Sequence, residues 1–193
     1  MGRLTATLAS ANPNKARELA RALAGWDVGL LEATDFPPET GETYYDNARS
    51  KARFGRSRAA AEALVLGEDS GIEVAALGGR PGVESARWAD DGVARLLEEL
   101  REVGAGERSA RYVCELVCIS PSGEELRGRG ELPGRIADEP RGSEGFGYDP
   151  IFLPEGETRT VAELGNEWKA EHSHRARAAR ALLAALARSG AGR

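Results

Sequence analysis

The stretch VLGEDSGIEV, Val65 to Val74, places two adjacent acids between two apolar runs. The first run ends at Glu68 and Asp69, a Ser-Gly pair follows, and the second run alternates as a strand does. This pattern predicts two strands joined by a Ser-Gly turn, with the carboxylates ending the first strand and opening the second. Because unpaired charge is costly inside a sheet, the two acids need a cation, a partner or solvent.

The composition of the whole chain limits what the protein can be. Its 193 residues suit a single α/β domain over 1–193, and its net charge of -5 argues against a general nucleic-acid-binding protein and favours a small-molecule partner. No run approaches the roughly 20 apolar residues of a membrane-spanning helix, and MGRLTATLAS lacks the apolar core of a signal peptide. We therefore expect no membrane association, a cytoplasmic location, and disorder in the last residues, 189–193.

Apolar residues recur with strand periodicity in some segments and with helix periodicity in others. They predict strands at RLTATLAS and YDPIFLP, helices at NPNKARELARALAGW, GETYYDNARSKARFGRSRAAAEA, DDGVARLLEELREV and RARAARALLAALARS, and a hairpin of ARYVCELVCIS and EELRGRGELPGRI. Asn12 and Thr43 suit helix N-caps, and Pro13 suits a first helical position. These elements indicate the α/β class, with a sheet of mixed direction flanked by helices.

The two cysteines, Cys114 and Cys118, stand at a spacing that fits neither a zinc knuckle nor a redox CxxC pair. On one strand they would share one face. We predict that both are small residues of the core.

Two segments contain groups that can bind anions. SANPNK, residues 10–15, joins the first strand to the first helix, where free N–H groups and Lys15 can form an anion pocket or an ordinary helix cap. ETGETYYDNARSKA contributes Glu39, and then Asn47 and Lys51 one turn apart. These two side chains can address a single group or form a solvated helix face.

Two further segments suit a metal and a flat ligand. Glu68 and Asp69 match the preference of Mg²⁺ for carboxylates, waters and phosphates at a strand end, although exposed turn acids would give the same pattern. SEGFGYDP, residues 143–150, is an aromatic loop flanked by glycines. Its Phe146 or Tyr148 can stack on a flat ligand or simply pack in a tight turn.

The segment NEWKAEHSHRAR holds the two histidines of the chain, His172 and His174, beside Lys169 and Arg175. A single HxH pair without further ligands makes a poor zinc site. These groups can instead donate hydrogen bonds to a base carbonyl or a phosphate, and the alternative is a basic helix N-terminus. Taken together, the five segments supply the parts of a nucleoside triphosphate site.

The same five segments stand in the order and at the intervals of a known family. SANPNK, ETGETYYDNARSKA, GEDSGIEVAALGGRPGVESARW, SEGFGYDP and the closing segment from Lys169 to Arg175 resemble the inosine/xanthosine triphosphate pyrophosphatases over nearly the whole chain. The resemblance implies an elongated α/β fold of two lobes with a central cleft, a homodimer, and metal-dependent hydrolysis of ITP, dITP and XTP to the monophosphate and pyrophosphate. Two features differ: Glu68 stands where the family pattern has Asp, and the segment between Trp88 and Leu96 is short.

The resemblance also implies a role for each matched residue. Asp69 would be the catalytic residue that orients or deprotonates water, and Glu39, Glu68 and Asp69 would hold Mg²⁺, with Mn²⁺ as a candidate substitute. The substrate-binding residues that it implies are Ser10, Ala11, Asn12, Pro13, Asn14, Lys15, Lys51, Ser70, Phe146, Gly147, Tyr148, Asp149, Lys169, His174 and Arg175. Lys15, Lys51 and the amides after Ser10 would hold the triphosphate, and the base would lie against Phe146. Asp149, Lys169, His174 and Arg175 would read the purine edge.

Two other functions stay open on the sequence. A related pyrophosphatase for pyrimidine nucleotides would share the phosphate chemistry, but the closing segment with Lys169, His174 and Arg175 weighs against it. A nucleotide sensor is the second alternative. A protein that only binds nucleotides does not need three acids to hold one metal ion, which weighs against it. Release of pyrophosphate from ITP separates an enzyme from a sensor.

Overall fold

The structure, a computed structural model, describes residues 4–189. Its elements in chain order are β1 Leu4–Leu8, α1 Pro13–Ala22, β2 Trp26–Leu30, α2 Tyr44–Arg56, β3 Leu64–Val74, α3 Gly92–Glu99, β4 Ser109–Ile119, β5 Glu125–Ile136, β6 Phe152–Pro154, α4 Val161–His172 and α5 His174–Ser189. Residues 190–193 lie outside the described part, so the expected disorder stays a prediction there, whereas Ser189 ends α5. No helix between residues 4 and 189 is long and apolar enough to cross a membrane.

The six strands form one sheet in the order β2-β1-β3-β4-β5-β6. β1 is parallel to β2 and to β3, whereas the pairs β3-β4, β4-β5 and β5-β6 are antiparallel. Parallel neighbours need crossover connections, and α1 and α2 lie in the connections that lead to β2 and β3. The predicted α/β class and mixed sheet are confirmed.

The prediction of a turn at Ser70 and Gly71 is wrong, because β3 runs unbroken through both acids. Every residue from Val65 to Val74 pairs with β4, and this pairing outweighs the local turn preference of the Ser-Gly pair. Gly71 is needed for close packing instead, since a Cβ there would lie 2.3 Å from the carbonyl oxygen of Gly82.

Other elements differ from the prediction in extent. α2 ends at Arg56 rather than near residue 63, and the Arg56 guanidinium donates to the carbonyl oxygens of the chain that leaves the helix, including that of Ala63. The sequence analysis missed β2, which is short, and α4. Gly165 interrupts the helical pattern of α4 with a φ of 87°.

Two large clusters of buried apolar residues lie at the two ends of the sheet. The first joins α1 and α5 to β1 and includes Leu19 and Leu182. The second joins α3 to the far ends of the long strands and includes Ile72, Leu96 and Phe152. The long strand β3 contributes residues to both clusters.

Helix α2 packs on the face of the sheet opposite to α5. Its small residues Ala48 and Ala52 allow so close an approach that a Cβ at Gly67 would lie 2.0 Å from the Ala48 carbonyl oxygen. On the other face, a Cβ at Gly128 would lie 2.2 Å from the carbonyl oxygen of Ala178 in α5. Glycines in the strands therefore let a helix lie against each face of the sheet.

The predictions for the cysteines and the helix caps are confirmed. Cys114 and Cys118 are free, buried members of the first cluster. Asn12 caps α1 by accepting from the amide of Asn14, and Thr43 caps α2 by accepting from the amide of Asp46.

Candidate active site

The candidate site lies where β3 loses its partner on one edge. β1 pairs with β3 only as far as Leu66, whereas β3 continues to Val74. Glu68 and Asp69 follow directly after that point, opposite the turn that leads from β1 into α1. In open α/β sheets, ligands usually bind outside the carboxyl ends of the parallel strands, and β1 ends here at Leu8.

The segment from Ser10 to Lys15 forms the turn opposite this edge. Ser10 Oγ accepts from the amide of Asn12 at 3.1 Å, and Asn12 Oδ1 accepts from the amide of Asn14 at 2.9 Å. Pro13 opens α1, while Ala11 is exposed. The segment is thus a helix cap and also brings Lys15 into the cleft, because the Lys15 side chain is buried and its Nζ lies 2.7 Å from Glu68 Oε2.

Glu68 is completely buried and held by cations from two helices. Lys15 contacts one of its oxygens, and Arg175 Nε donates to Oε1 at 3.0 Å. Burial by itself would raise the pKa of Glu68, but the Lys15 ammonium and the Arg175 guanidinium outweigh it and hold that pKa well below its usual range. Glu68 is therefore a carboxylate that stays charged in order to fix two cations.

Asp69 has its own set of partners from α2. Asn47 Nδ2 donates to Oδ2 at 3.0 Å, and Lys51 Nζ donates to Oδ1 at 3.2 Å and to the Glu68 carbonyl oxygen at 3.1 Å. Lys51 also forms an ion pair with Glu39, which Arg87 contacts from its exposed side. Burial raises the pKa of Asp69 despite the nearby lysines, so its carboxylate is more basic than an ordinary one.

The structure does not bring the three predicted metal ligands together. Consecutive strand residues point to opposite faces, so the Glu68 carboxylate lies among Lys15 and Arg175 while Asp69 lies on the α2 face. Within residues 4–189 no group of three or more His, Cys, Asp and Glu side chains is arranged to hold a metal ion. Glu39 and Asp69 do share one cation, the Lys51 ammonium.

The aromatic loop and the closing helices form the other end of the site. Lys169 Nζ lies 4.8 Å and the Arg175 guanidinium carbon 5.1 Å from the centre of the Phe146 ring. Asp149 is buried and binds Lys169 at 2.5 Å, and Arg175 donates to Ser70 Oγ at 2.6 Å. The structure thus brings residues 146–149, Lys169 and Arg175 together with β3, as predicted.

The other predicted residues of this end play distinct parts. Tyr148 is buried and its hydroxyl donates to the Ser85 carbonyl oxygen at 3.0 Å, while Gly147 adopts a φ of 63° that turns the loop. His174 is buried at the start of α5, whereas the side chain of His172 is 50% exposed. Burial, together with the charge of Arg175, holds the pKa of His174 well below its ordinary value, so the imidazole is neutral.

A cleft of about 500 Å³ connects the two ends. Its lining includes Asn12 and Lys15 at one end and Phe146, Asp149 and His174 at the other. A second concavity of about 700 Å³ is lined by Arg111, Arg135 and other residues that the sequence analysis does not single out. We place the site in the smaller cleft because many of the predicted residues line it: Asn12, Lys15, Ser70, residues 146–149, His174 and Arg175. Lys51 and Asp69 lie on the α2 face and are not among its lining residues.

Comparison with known proteins identifies the family of this chain. The model of the Ham1 family matches residues 6–185. This chain belongs to the Ham1 family. A dITP/XTP pyrophosphatase of Symbiobacterium thermophilum is 48% identical to it over 178 residues, which is 89% of each chain.

Two solved Ham1-type structures are similar to this fold. A nucleoside-triphosphatase / dITP/XTP pyrophosphatase of Mycobacterium abscessus is 40% identical, with 93% of this chain and 97% of that chain covered and a TM-score of 0.70. The Staphylococcus aureus Ham1 protein is 33% identical, with 96% and 99% covered and a TM-score of 0.80. The resemblance to the inosine/xanthosine triphosphate pyrophosphatases is therefore confirmed at the level of family.

Two residues of this Ham1 site were missed by the sequence analysis. Glu18 lies one turn after Lys15 on α1, forms an ion pair with Lys169 and accepts from Arg175 Nη1 at 3.0 Å. Tyr112 of β4 donates to Asp149 Oδ1 at 3.2 Å. The helical spacing from Lys15 could have indicated Glu18, because residues three apart share a helix face. Tyr112 gives no comparable local signal.

Proposed function

We propose that this protein hydrolyses the non-standard purine nucleoside triphosphates dITP, ITP and XTP between the α and β phosphates, giving the monophosphate and pyrophosphate. The observation that carries the proposal is the buried carboxylate of Asp69, held by Asn47 and Lys51 at the open edge of β3. The next residue of β3, Ser70, lines the cleft together with Lys15 and Phe146. The dITP/XTP pyrophosphatases with similar sequences support the same substrate class.

In this proposal, the two lysines and the turn after β1 bind the triphosphate. Lys15 and Lys51 approach from the two faces of the sheet, and the positive end of the α1 helix dipole lies at Lys15, in the first turn of that helix. The charges of Lys15 and Lys51 are already balanced by Glu68, Glu39 and Asp69. This keeps both ammonium groups in position before the substrate arrives.

Asp69 acts as the general base or orienting group for the attacking water. Its raised pKa makes it a better proton acceptor than an ordinary Asp, and Asn47 and Lys51 fix its direction. Such a base contributes about 10²–10⁴ in rate. The proton of the water passes to an Asp69 oxygen while the pyrophosphate leaves.

We also propose that a divalent cation, Mg²⁺ or Mn²⁺, assists the reaction. The fit rests on Lys51, whose ammonium already lies against Glu39, Asp69 and the Glu68 carbonyl oxygen, all hard oxygen donors. Glu39 and Asp69 would hold the ion, and the Glu68 carboxylate would hold Lys15 and Arg175. When bound, the ion would neutralise charge on the phosphate oxygens.

The base lies against Phe146 and is read by the buried polar groups beside it. A 6-oxopurine presents an acceptor where adenine presents an amino donor, so Lys169, Arg175 and neutral His174 as donors would favour the former. Adenine would leave these buried groups poorly paired. Guanine shares the 6-oxo group, so its rejection would depend on the 2-position.

The test is pyrophosphate release from ITP, dITP, XTP, GTP, ATP and dTTP at equal concentration, with Mg²⁺, with Mn²⁺ and with a chelator. We expect metal-dependent turnover of the first three and poor turnover of the rest. Preferred turnover of dTTP would support a pyrimidine pyrophosphatase instead. Binding of ITP without any turnover would support the sensor, and activity in excess chelator would remove the metal from the proposal.

A homodimer and a cytoplasmic location complete the proposal; the first follows from the family resemblance, and the second from a sequence without a long apolar run. Light scattering after size exclusion, which gives the mass in solution, tests the first, because the monomer has a mass of 20.5 kDa. Fractionation of cells that express the protein tests the second.

A further inference from the structure

Tyr112 lies at the base end of the cleft, on β4, and is not among the residues that the family motifs indicate. It pairs with Ile72 on one side and Leu132 on the other, which puts its side chain on the same face of the sheet as α5. The residue is only 6% exposed, and it lines the same cleft as Phe146 and His174.

The Tyr112 side chain contacts two of the predicted base-reading residues. Its ring stacks on the His174 ring with centroids 4.5 Å apart and an interplanar angle of 10°, and it packs on Phe152 at 4.6 Å. Its hydroxyl donates to Asp149 Oδ1 at 3.2 Å. Burial raises the pKa of this phenol far above its ordinary value, so the hydroxyl remains a donor.

The two oxygens of Asp149 have different partners. Oδ2 accepts from the Phe146 amide at 2.8 Å and from Lys169 Nζ at 2.5 Å. In the part of the chain that the structure describes, Oδ1 accepts from Tyr112 alone. A carboxylate oxygen can accept two hydrogen bonds, so one lone pair of Oδ1 remains for a ligand donor.

We propose that Tyr112 is a positioning residue for base specificity, which rests on the function proposed above. Its hydroxyl fixes the rotation of the Asp149 carboxylate, so that Oδ1 keeps a free lone pair towards the N1–H donor of a 6-oxopurine. Adenine has an acceptor at N1, which would face the same oxygen without a proton between them. Tyr112 thereby turns Asp149 into a group that distinguishes the two kinds of purine, and its ring holds His174 beside it.

The test is Tyr112→Phe, which keeps the ring and removes only the hydroxyl. We expect KM for ITP to rise about tenfold, the size of effect typical of a lost hydrogen bond to a charged group, while kcat changes less than about twofold. The ratio of kcat/KM for ITP to that for ATP should fall with it. The matched control is Tyr45→Phe, which removes another phenol–carboxylate hydrogen bond, from Tyr45 to Glu125 at 2.6 Å, outside the cleft.

A double-mutant cycle with Asp149→Asn separates positioning from packing. If Tyr112 acts through Asp149, Tyr112→Phe should have little further effect in the Asp149→Asn background. An equal effect in both backgrounds, or an unchanged ITP/ATP ratio in the single variant, overturns the inference.

Binding of the monophosphates keeps this test independent of catalysis. Calorimetry with IMP and AMP on the wild type and Tyr112→Phe should show a preference for IMP that the variant loses. If the wild type hydrolyses no nucleotide but binds IMP with this Tyr112-dependent preference, the proposed hydrolysis fails and the role of Tyr112 stands. A wild type without preference for IMP over AMP overturns the role of Tyr112.

Discussion

Glu68 and Asp69 are neighbours in one unbroken strand, and their carboxylates therefore lie on opposite faces of the sheet. Lys15 and Arg175 hold the first, and Asn47 and Lys51 hold the second. β1 pairs with β3 only as far as Leu66, so β1 does not cover this edge of β3 at either acid. The two acids thus hold two separate sets of polar and cationic groups, one on each face of β3.

Substitution of Glu68 should mainly lower stability, whereas substitution of Asp69 should mainly lower activity. Glu68→Gln leaves the buried Lys15 without its carboxylate, although Arg175 keeps Glu18, so we expect the free energy of unfolding to fall by about 3–5 kcal/mol. Asp69→Asn should fold normally, since Lys51 keeps Glu39 as a partner, yet lower kcat by about 10²–10⁴. Urea unfolding and pyrophosphate release on both variants measure the two effects.

Each of these two variants serves as the control for the other. A normally stable Glu68→Gln protein would show that Lys15 and Arg175 do not depend on this carboxylate. Near-wild-type hydrolysis by Asp69→Asn would remove Asp69 from the role of base.

The approach of α2 to β3 sets the position of Lys51. An added Cβ at Gly67 would lie 2.0 Å from the Ala48 carbonyl oxygen and 2.4 Å from the Ala52 amide, both backbone atoms, so the helix has to move. We expect Gly67→Ala to cost about 1–3 kcal/mol of stability and, because a small displacement of a binding group is enough, to lower kcat/KM by about 10²-fold.

Gly29→Ala is the matched control, because a Cβ at Gly29 of β2 would have nothing within 4 Å. It should leave both the unfolding midpoint and the rate of hydrolysis near wild type. If Gly67→Ala behaves in the same way, α2 is free to shift and does not fix Lys51.

The motifs predicted which residues within one segment lie close together, because a short segment determines its own helix cap and helical spacing. The cap at Asn12 places Lys15 on the first turn of α1, and helical spacing puts Asn47 and Lys51 on one face of α2. These relations involve residues that are close in sequence, so a sequence pattern is enough to predict them.

Long-range contacts were the part that the sequence did not predict. Arg175 and Glu18 stand 157 positions apart, and no local pattern links them. The turn expected at Ser70 failed for the same reason, since pairing with β4 decides the conformation there. The separation of Glu68 from Asp69 follows from strand geometry, but only once the strand is known to be continuous.

Phe146 should contribute affinity for the base rather than the rate of the chemical step. Stacking on an aromatic side chain is worth about 1–3 kcal/mol per base, so Phe146→Ala should raise KM for ITP about tenfold or more with little change in kcat. Phe54→Ala is the control, because the Phe54 ring also lies under a guanidinium, that of Arg58 at 3.8 Å, but on α2 away from the cleft. A purely kcat effect of Phe146→Ala would contradict a stacking role.

The buried neutral His174 should make the free energy of unfolding decrease as the pH is lowered from about 7.5 to 5. Burial and the charge of Arg175 hold the pKa of His174 in the folded state well below its value in the unfolded chain, which is about 6.5. On acidification the unfolded state therefore binds a proton at this residue, and the folded state does not. Over this range the loss from His174 alone should approach about 2 kcal/mol. Urea unfolding at pH 7.5, 6.5, 5.5 and 5.0 measures it.

His174→Asn should remove this slope, and His172→Asn, at a half-exposed position, should leave it in place. Burial raises the pKa of Asp69 and of Asp149, which opposes the trend because the folded state binds protons at these groups more readily. Both acids are present in wild type and variants alike, so the difference between the pH curves isolates the histidine. Parallel curves for the wild type and His174→Asn would mean that His174 accepts a proton in the folded state, and that it meets a ligand as a cation.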